Sequence, residues 1–117
     1  MQKENTIDSK AKKSAIRIIR MYQYLSSEKK EYVLSKQVLR SGTLIGANVH
    51  ESIRAQSKAD FRAKMNIALK EASETEYWLE LLHETDYMED AQFESIHYDA
   101  VELIKLLTSI VKSSEKQ

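Results

Sequence analysis

Arg40-Ser41-Gly42-Thr43-Leu44-Ile45-Gly46-Ala47-Asn48 holds the only two glycines of a 117-residue sequence. Neither glycine stands where a turn would want it, because apolar residues keep helical spacing on both sides. Each glycine inside a helix costs about 1 kcal/mol relative to alanine. Two of them four residues apart, on nearly one side of one helix, predict a neighbouring backbone close by. Gly42 and Gly46 therefore read as a tight packing seam, and the stretch that carries them reads as the middle of a long helix.

Working outward, the apolar periodicity predicts four helices over about 9–26, 30–55, 58–85 and 91–113. Helix 1 carries the stripe Ile7, Ala11, Ile18, Met21, Tyr22 and Leu25. Helix 2 carries Val38, Gly42, Ile45, Val49 and Ile53, with Tyr32, Leu39, Thr43 and Gly46 beside it. Helix 3 opens on Ser57-Lys58-Ala59-Asp60, a serine cap with an acid three residues on. Its stripe is Phe61, Met65, Ala68, Ala72, Thr75, Leu79 and Leu82. Helix 4 carries Phe93, Ile96, His97, Ala100, Ile104, Leu107 and Val111, and the tail Ser114–Gln117 should fray. Short links force successive helices to run antiparallel. The expected fold is all-α, an up-down-up-down four-helix bundle, with residues 1–117 forming one domain.

The composition agrees. There is no proline, and the glycines do not mark loops, so a sheet with many tight turns is excluded. There is no cysteine, which removes disulfides, thiol catalysis and thiolate metal sites. The start, Met1–Asn5, shows no apolar signal region and no run approaches membrane-spanning length, so a cytoplasmic location is expected.

The net charge of zero conceals segregation. Residues 1–64 hold 14 Lys and Arg against 6 Asp and Glu; residues 65–117 hold 4 against 12. Basic helices neutralising acidic neighbours inside the fold would explain this. So would a basic face exposed for a polyanion, or opposite charges joined between copies. Helix 3 also has a second apolar set, Ile67, Trp78 and Leu81, with Glu71 and Glu74 among them. A second stripe predicts burial between subunits.

Two blocks resemble a known family. They are Gln37 through Glu51, and Ser57, Asp60, Phe61 followed by Ile67 through Leu79. Both are similar to the signature of the bacterial four helix bundle proteins, found as reading frames in intervening sequences of 23S rRNA genes and labelled ribosomal-protein-like. The resemblance covers almost the whole chain. It implies a bundle assembled into a ring, often a homopentamer. It also implies kinship with accessory proteins of diversity-generating retroelements, which bind nucleic acid through a basic surface and associate with a reverse transcriptase. The chain departs at Ser52, where the family commonly has glycine after the acid, so the end of helix 2 is expected to change or run on.

Several residue groups carry candidate chemistry. Lys10, Lys12, Lys13, Arg17, Arg20, Lys36 and Arg40, with Arg54, Lys58, Arg62 and Lys64 beyond them, are the candidate nucleic-acid contacts. No RNA-binding aromatic motif accompanies them, so binding to RNA or DNA should follow shape and charge. Glu71 and Glu74 are expected to form a polar seam with Arg40 and Asn48 of helix 2. Gly42, Gly46, Asn48, Glu71, Glu74 and Trp78 are thus the expected packing or interface residues. Glu80-Leu81-Leu82-His83 and Glu94-Ser95-Ile96-His97 are both E-x-x-H, as in di-iron bundles. Helix 1 has no interior acid to complete such a set, and both motifs lie near the helix 3–helix 4 turn, so no metal or other cofactor is expected. His50 reads as a surface or interface residue. No nucleophile or phosphate-binding loop stands beside these groups, so no catalytic residue is assigned. The expectation is a non-enzymatic, self-associating, nucleic-acid-binding module. A protein-interaction scaffold and, more remotely, a metal-dependent bundle enzyme remain as alternatives.

Overall fold

The computed structural model describes residues 6–115 and consists of four helices, α1 (Ile7–Ser27), α2 (Leu34–Ser52), α3 (Lys58–Glu84) and α4 (Asp90–Glu115). Each helix packs on the next and α4 closes against α1, while α1 and α3 lie diagonally across the bundle from each other without close approach of their backbones. The body measures 46 × 24 × 23 Å. Among the described residues there is no strand, and no helix is long and apolar enough to cross a membrane. Helix α4 runs through Glu115; the rest of the expected frayed tail, Lys116 and Gln117, lies outside the described residues, as does Met1–Asn5.

Local chemistry sets the helix ends. Thr6 caps α1 by accepting from the Ser9 amide at 3.1 Å. Ser57 caps α3 by accepting from the Asp60 amide at 3.0 Å, and the Asp60 carboxylate accepts from the Gln56 amide. The turns after α1 and α3 use non-glycine residues with left-handed backbone, Lys30 (φ 57°) and Asp86 (φ 70°).

Helix α2 is shorter than its periodicity predicts. It starts at Leu34 rather than near residue 30, because the Glu31 carboxylate folds back onto the amides of Val33, Leu34 and Ser35 at 3.1, 2.9 and 2.7 Å. Tyr32 is thereby left outside the helix and exposed. The α-helix stops at Ser52, after which the amides of Ile53, Arg54 and Ala55 each reach back three residues in a tightened turn. Ile53 therefore leaves the core stripe and is 62% exposed. Ser52 is buried, and its hydroxyl donates to the Val49 carbonyl at 2.6 Å.

The core has two apolar clusters. One gathers Ala11, Ile45, Val49, Met65, Ala68, Ala72, Leu103, Leu107 and Val111. The other gathers Ile18, Leu25, Val38, Leu79, Leu82, Met88, Ile96 and Ala100. Between them along the chain come the small buried residues Ser14, Ser41, Gly42 and Thr75. The Thr75 hydroxyl meets the Ser41 hydroxyl at 2.8 Å and also donates to the Glu71 carbonyl. This buried hydroxyl pair joins α2 to α3 at mid-bundle.

The two glycines face α1, and they are not equivalent. A Cβ at Gly42 would lie 2.8 Å from Ile18 Cγ2 and 3.2 Å from Ile18 Cβ. The atoms nearest a Cβ at Gly46 would be the Ala11 carbonyl and methyl, at 3.6–3.8 Å, which is ordinary contact. The seam is thus tight at Gly42 and relaxed at Gly46. Gly46→Ala is expected to raise stability by about 0.5–1 kcal/mol, through the helix propensity and the smaller unfolded-state entropy of alanine. A thermal or denaturant midpoint that falls instead would show that α1 presses on this position more closely than the distances indicate.

Candidate nucleic-acid interface

The charged surface of α1 is divided by the way the helix turns. Lys10 and Arg17 lean toward α4. Lys10 Nζ is 3.3 Å from Glu102. Arg17 reaches Asp99 at 2.7 Å and donates to the Ser95 hydroxyl and carbonyl. Lys12, Lys13 and Arg20 are exposed, and among the described residues no acidic side chain pairs with them. Lys13 and Arg20 are seven residues apart, nearly two full turns, and so share one face. Exposed Ile16 and Ile19 lie among these cations.

On α2, Lys36 is exposed and has no ion pair among the described residues, whereas Arg40 faces α3. Its guanidinium lies 3.9 Å from Glu71 and 4.0 Å from Glu74. Of the seven predicted contacts, then, Lys10, Arg17 and Arg40 form ion pairs within the subunit. Lys12, Lys13, Arg20 and Lys36 do not. Farther along, Lys64 pairs with Glu51 at 3.0 Å, while Arg62 caps the Ser114 carbonyl at the end of α4.

The α2–α3 groove holds an electrostatically uncomfortable acid. Glu71 Oε1 is buried without a hydrogen-bond partner. Burial, and secondarily the Glu74 carboxylate, push the Glu71 carboxyl above its ordinary value, with Arg40 opposing the shift. Glu74 instead accepts from the Trp78 indole at 3.0 Å. Asn48 does not join this seam as predicted. Its side-chain amide donates to the Leu44 carbonyl one turn back, at 2.9 Å, a local option always open to a helical asparagine.

The E-x-x-H residues do not form a four-carboxylate set. Glu94 is exposed, and His83 pairs with Asp90 at 2.7 Å. His97 turns toward α3, where its Nε2 lies 3.1 Å from Glu76 and 3.7 Å from Glu80. Glu80 is thus drawn to a histidine across the helix pair and is not simply a solvated acid. Glu76 went unnoticed in the sequence; its position four residues before Glu80 was the available signal. At the far end of the bundle, His50 lies 3.7 Å from Asp8.

These features can be set against known proteins. None of the curated proteins compared with the chain matches it. The crystal structure, at 1.70 Å resolution, of a protein with unknown function from the S23 ribosomal protein family of Bacteroides thetaiotaomicron VPI-5482 is similar along almost its whole length. The two chains are 56% identical with a TM-score of 0.90, over 92% of this chain and 99% of that one. The model of the 23S rRNA-intervening sequence protein family matches residues 3–109, which span all of α1, α2 and α3 and most of α4. Both sequence blocks and the antiparallel bundle they build lie inside that match, and the chain therefore belongs to the 23S rRNA-intervening sequence protein family.

Proposed function

We propose that this protein is a non-enzymatic, self-associating module that binds nucleic acid through Lys12, Lys13, Arg20 and Lys36. The observation that carries this reading is the division of the cations on α1 and α2. Three form ion pairs inside the subunit, and these four project into solvent without one among the described residues. Exposed, unpaired cations contact phosphate without reading sequence, and they release counterions as they do so. Self-association is supported by the exposed Ile67 and the partly exposed Trp78 of α3, beside the Glu71 carboxylate oxygen that has no hydrogen bond. A closed ring, with five copies as the family resemblance implies, would repeat the cationic face and multiply weak contacts.

Titration with a structured RNA and a duplex DNA across a salt series, with solution mass measured in the same buffers, tests the proposal. Binding should weaken steeply with salt, with a logarithmic slope of about 0.9 per phosphate contacted on duplex DNA. Lys13→Ala and Arg20→Ala should each flatten that slope, and Arg17→Ala should act mainly on stability. Absence of binding at low salt would defeat the reading.

One observation favours a second reading, a protein scaffold without nucleic acid. Ile16 and Ile19, 43% and 38% exposed, sit among the unpaired cations of α1, while Ile67 and Tyr77 sit near Glu71 and Glu74 on α3. Because α1 and α3 lie across the bundle from each other, a basic face and an acidic face point to opposite sides. Head-to-tail contact between successive copies would join them. In that case salt lowers the solution mass itself, and Ile16→Glu yields monomers.

A further inference from the structure

We propose that Glu76, Glu80 and His97 form a mononuclear binding site for a divalent transition-metal cation of the zinc type, on the α3–α4 side of the bundle. The proposal is independent of nucleic-acid binding and of the cationic face on α1 and α2. The expectation that no metal binds rested on the four-helix di-iron pattern. The present set draws on two helices only and includes Glu76, which that pattern does not contain.

The geometry points to one ion. One ligand atom from each of the three side chains lies within 4.8 Å of the other two. The imidazole Nε2 stands 3.1 Å from Glu76 Oε2 and 3.7 Å from Glu80 Oε2. A tetrahedral zinc ion with bonds of about 2.0–2.2 Å sets its ligands roughly 3.4 Å apart, so the donors need only small adjustments. The backbone supports this spacing. Glu76 and Glu80 are one turn apart on α3 and present their carboxylates side by side, and His97 meets them from α4.

The donor chemistry narrows the ion. One imidazole nitrogen and two carboxylate oxygens, without thiolate, suit zinc and its first-row neighbours better than calcium or magnesium, which take oxygen donors alone. The histidine ring is held in place: Phe93 stacks on it at 4.7 Å and on His83 at 4.2 Å. Charge points the same way. Two carboxylates one helical turn apart repel each other, and among the described residues neither pairs with a lysine or arginine. A divalent cation neutralises both and ties α4 to α3. All three side chains are a quarter to under a half exposed, so ion entry requires no opening of the core, and a solvent ligand can take the fourth corner.

Calorimetric titration of zinc chloride into the chelator-treated full-length protein tests the site. We expect one zinc per subunit with micromolar affinity. Glu80→Gln, a conservative change at a half-exposed position, and His97→Ala should each weaken binding by at least about tenfold, since altering even the groups that orient metal ligands costs about 10–100-fold. His50→Ala, at the far end of the bundle, should leave stoichiometry and affinity unchanged. Circular dichroism checks that the variants fold, and cobalt substitution gives a second readout. Visible bands of tetrahedral cobalt should appear in the parent protein and vanish in Glu80→Gln. If no zinc binds, or if Glu80→Gln and His97→Ala bind as tightly as the parent, the three residues are only a hydrogen-bonded cluster and the proposal falls.

Discussion

Replacing Gly42 with leucine lowers the stability of the bundle by about 3 kcal/mol, the upper part of the usual range for overpacking a core. The cause is a single neighbour. Ile18 is 1% exposed and already fills the space a side chain would need, with Cγ2, Cγ1 and Cβ at 2.8, 3.0 and 3.2 Å from a Cβ built there. Rotation about χ1 gives no escape, because a β-branched residue in a helix has one strongly preferred rotamer and its Cβ does not move. Relief requires α1 and α2 to separate. Even Gly42→Ala should lose about 1 kcal/mol despite the better helix propensity of alanine, opposite in sign to Gly46→Ala. Denaturant unfolding of Gly42→Leu alone and combined with Ile18→Ala decides the matter. The double variant should recover part of the loss, because the two sites are in contact. Strict additivity would show that the strain arises elsewhere.

Glu31→Ala should cost about 2 kcal/mol at neutral pH, since it removes a charged acceptor from three amides at the start of α2. Burial by itself raises the Glu31 carboxyl, but the amides of Leu34, Ser35 and Val33 outweigh it and hold the group below its ordinary value of about 4.5. The sign of the pH effect follows. A carboxyl that binds its proton less tightly when folded stabilises the fold above the unfolded value. That contribution fades as the pH drops through the folded value. The gap between parent and Glu31→Ala should therefore be full at pH 7 and close as the medium is acidified below about 4.5. A gap of constant size down to pH 3 would mean that Glu31 acts by packing alone.

Periodicity disclosed the helices and their inner faces because burial imposes a 3.6-residue rhythm that sequence records directly. Met65, Ala68, Ala72, Thr75, Leu79 and Leu82 are all buried on α3, as their spacing predicts. The start of α2 was hidden because Glu31 caps it from outside, and glutamate is not among the residues that usually announce a helix start. The fate of the cations was hidden for a different reason. Arg17 and Arg20 are three residues apart in similar surroundings, and only the rotation of α1 against α4 pairs one with Asp99 and leaves the other in solvent. The same holds for Glu76 and Glu80, which look like a solvated pair until α4 brings His97 beside them.

The Ile18–Gly42 contact has a mechanical side. Long antiparallel helices with aliphatic stripes can slip along one another by a turn of about 5.4 Å and still bury similar surface. Here the branched wedge Ile18 of α1 sits in the notch that Gly42 leaves in α2, and Val38 closes the position one turn toward the start of α2. Sliding toward the start of α2 would drive the wedge against that side chain, so Gly42 acts as a detent against slip in that direction. Any surface assembled from both helices, including the positions of Lys12, Lys13, Arg20 and Lys36 relative to one another, inherits its spacing from the seating of Ile18 in that notch.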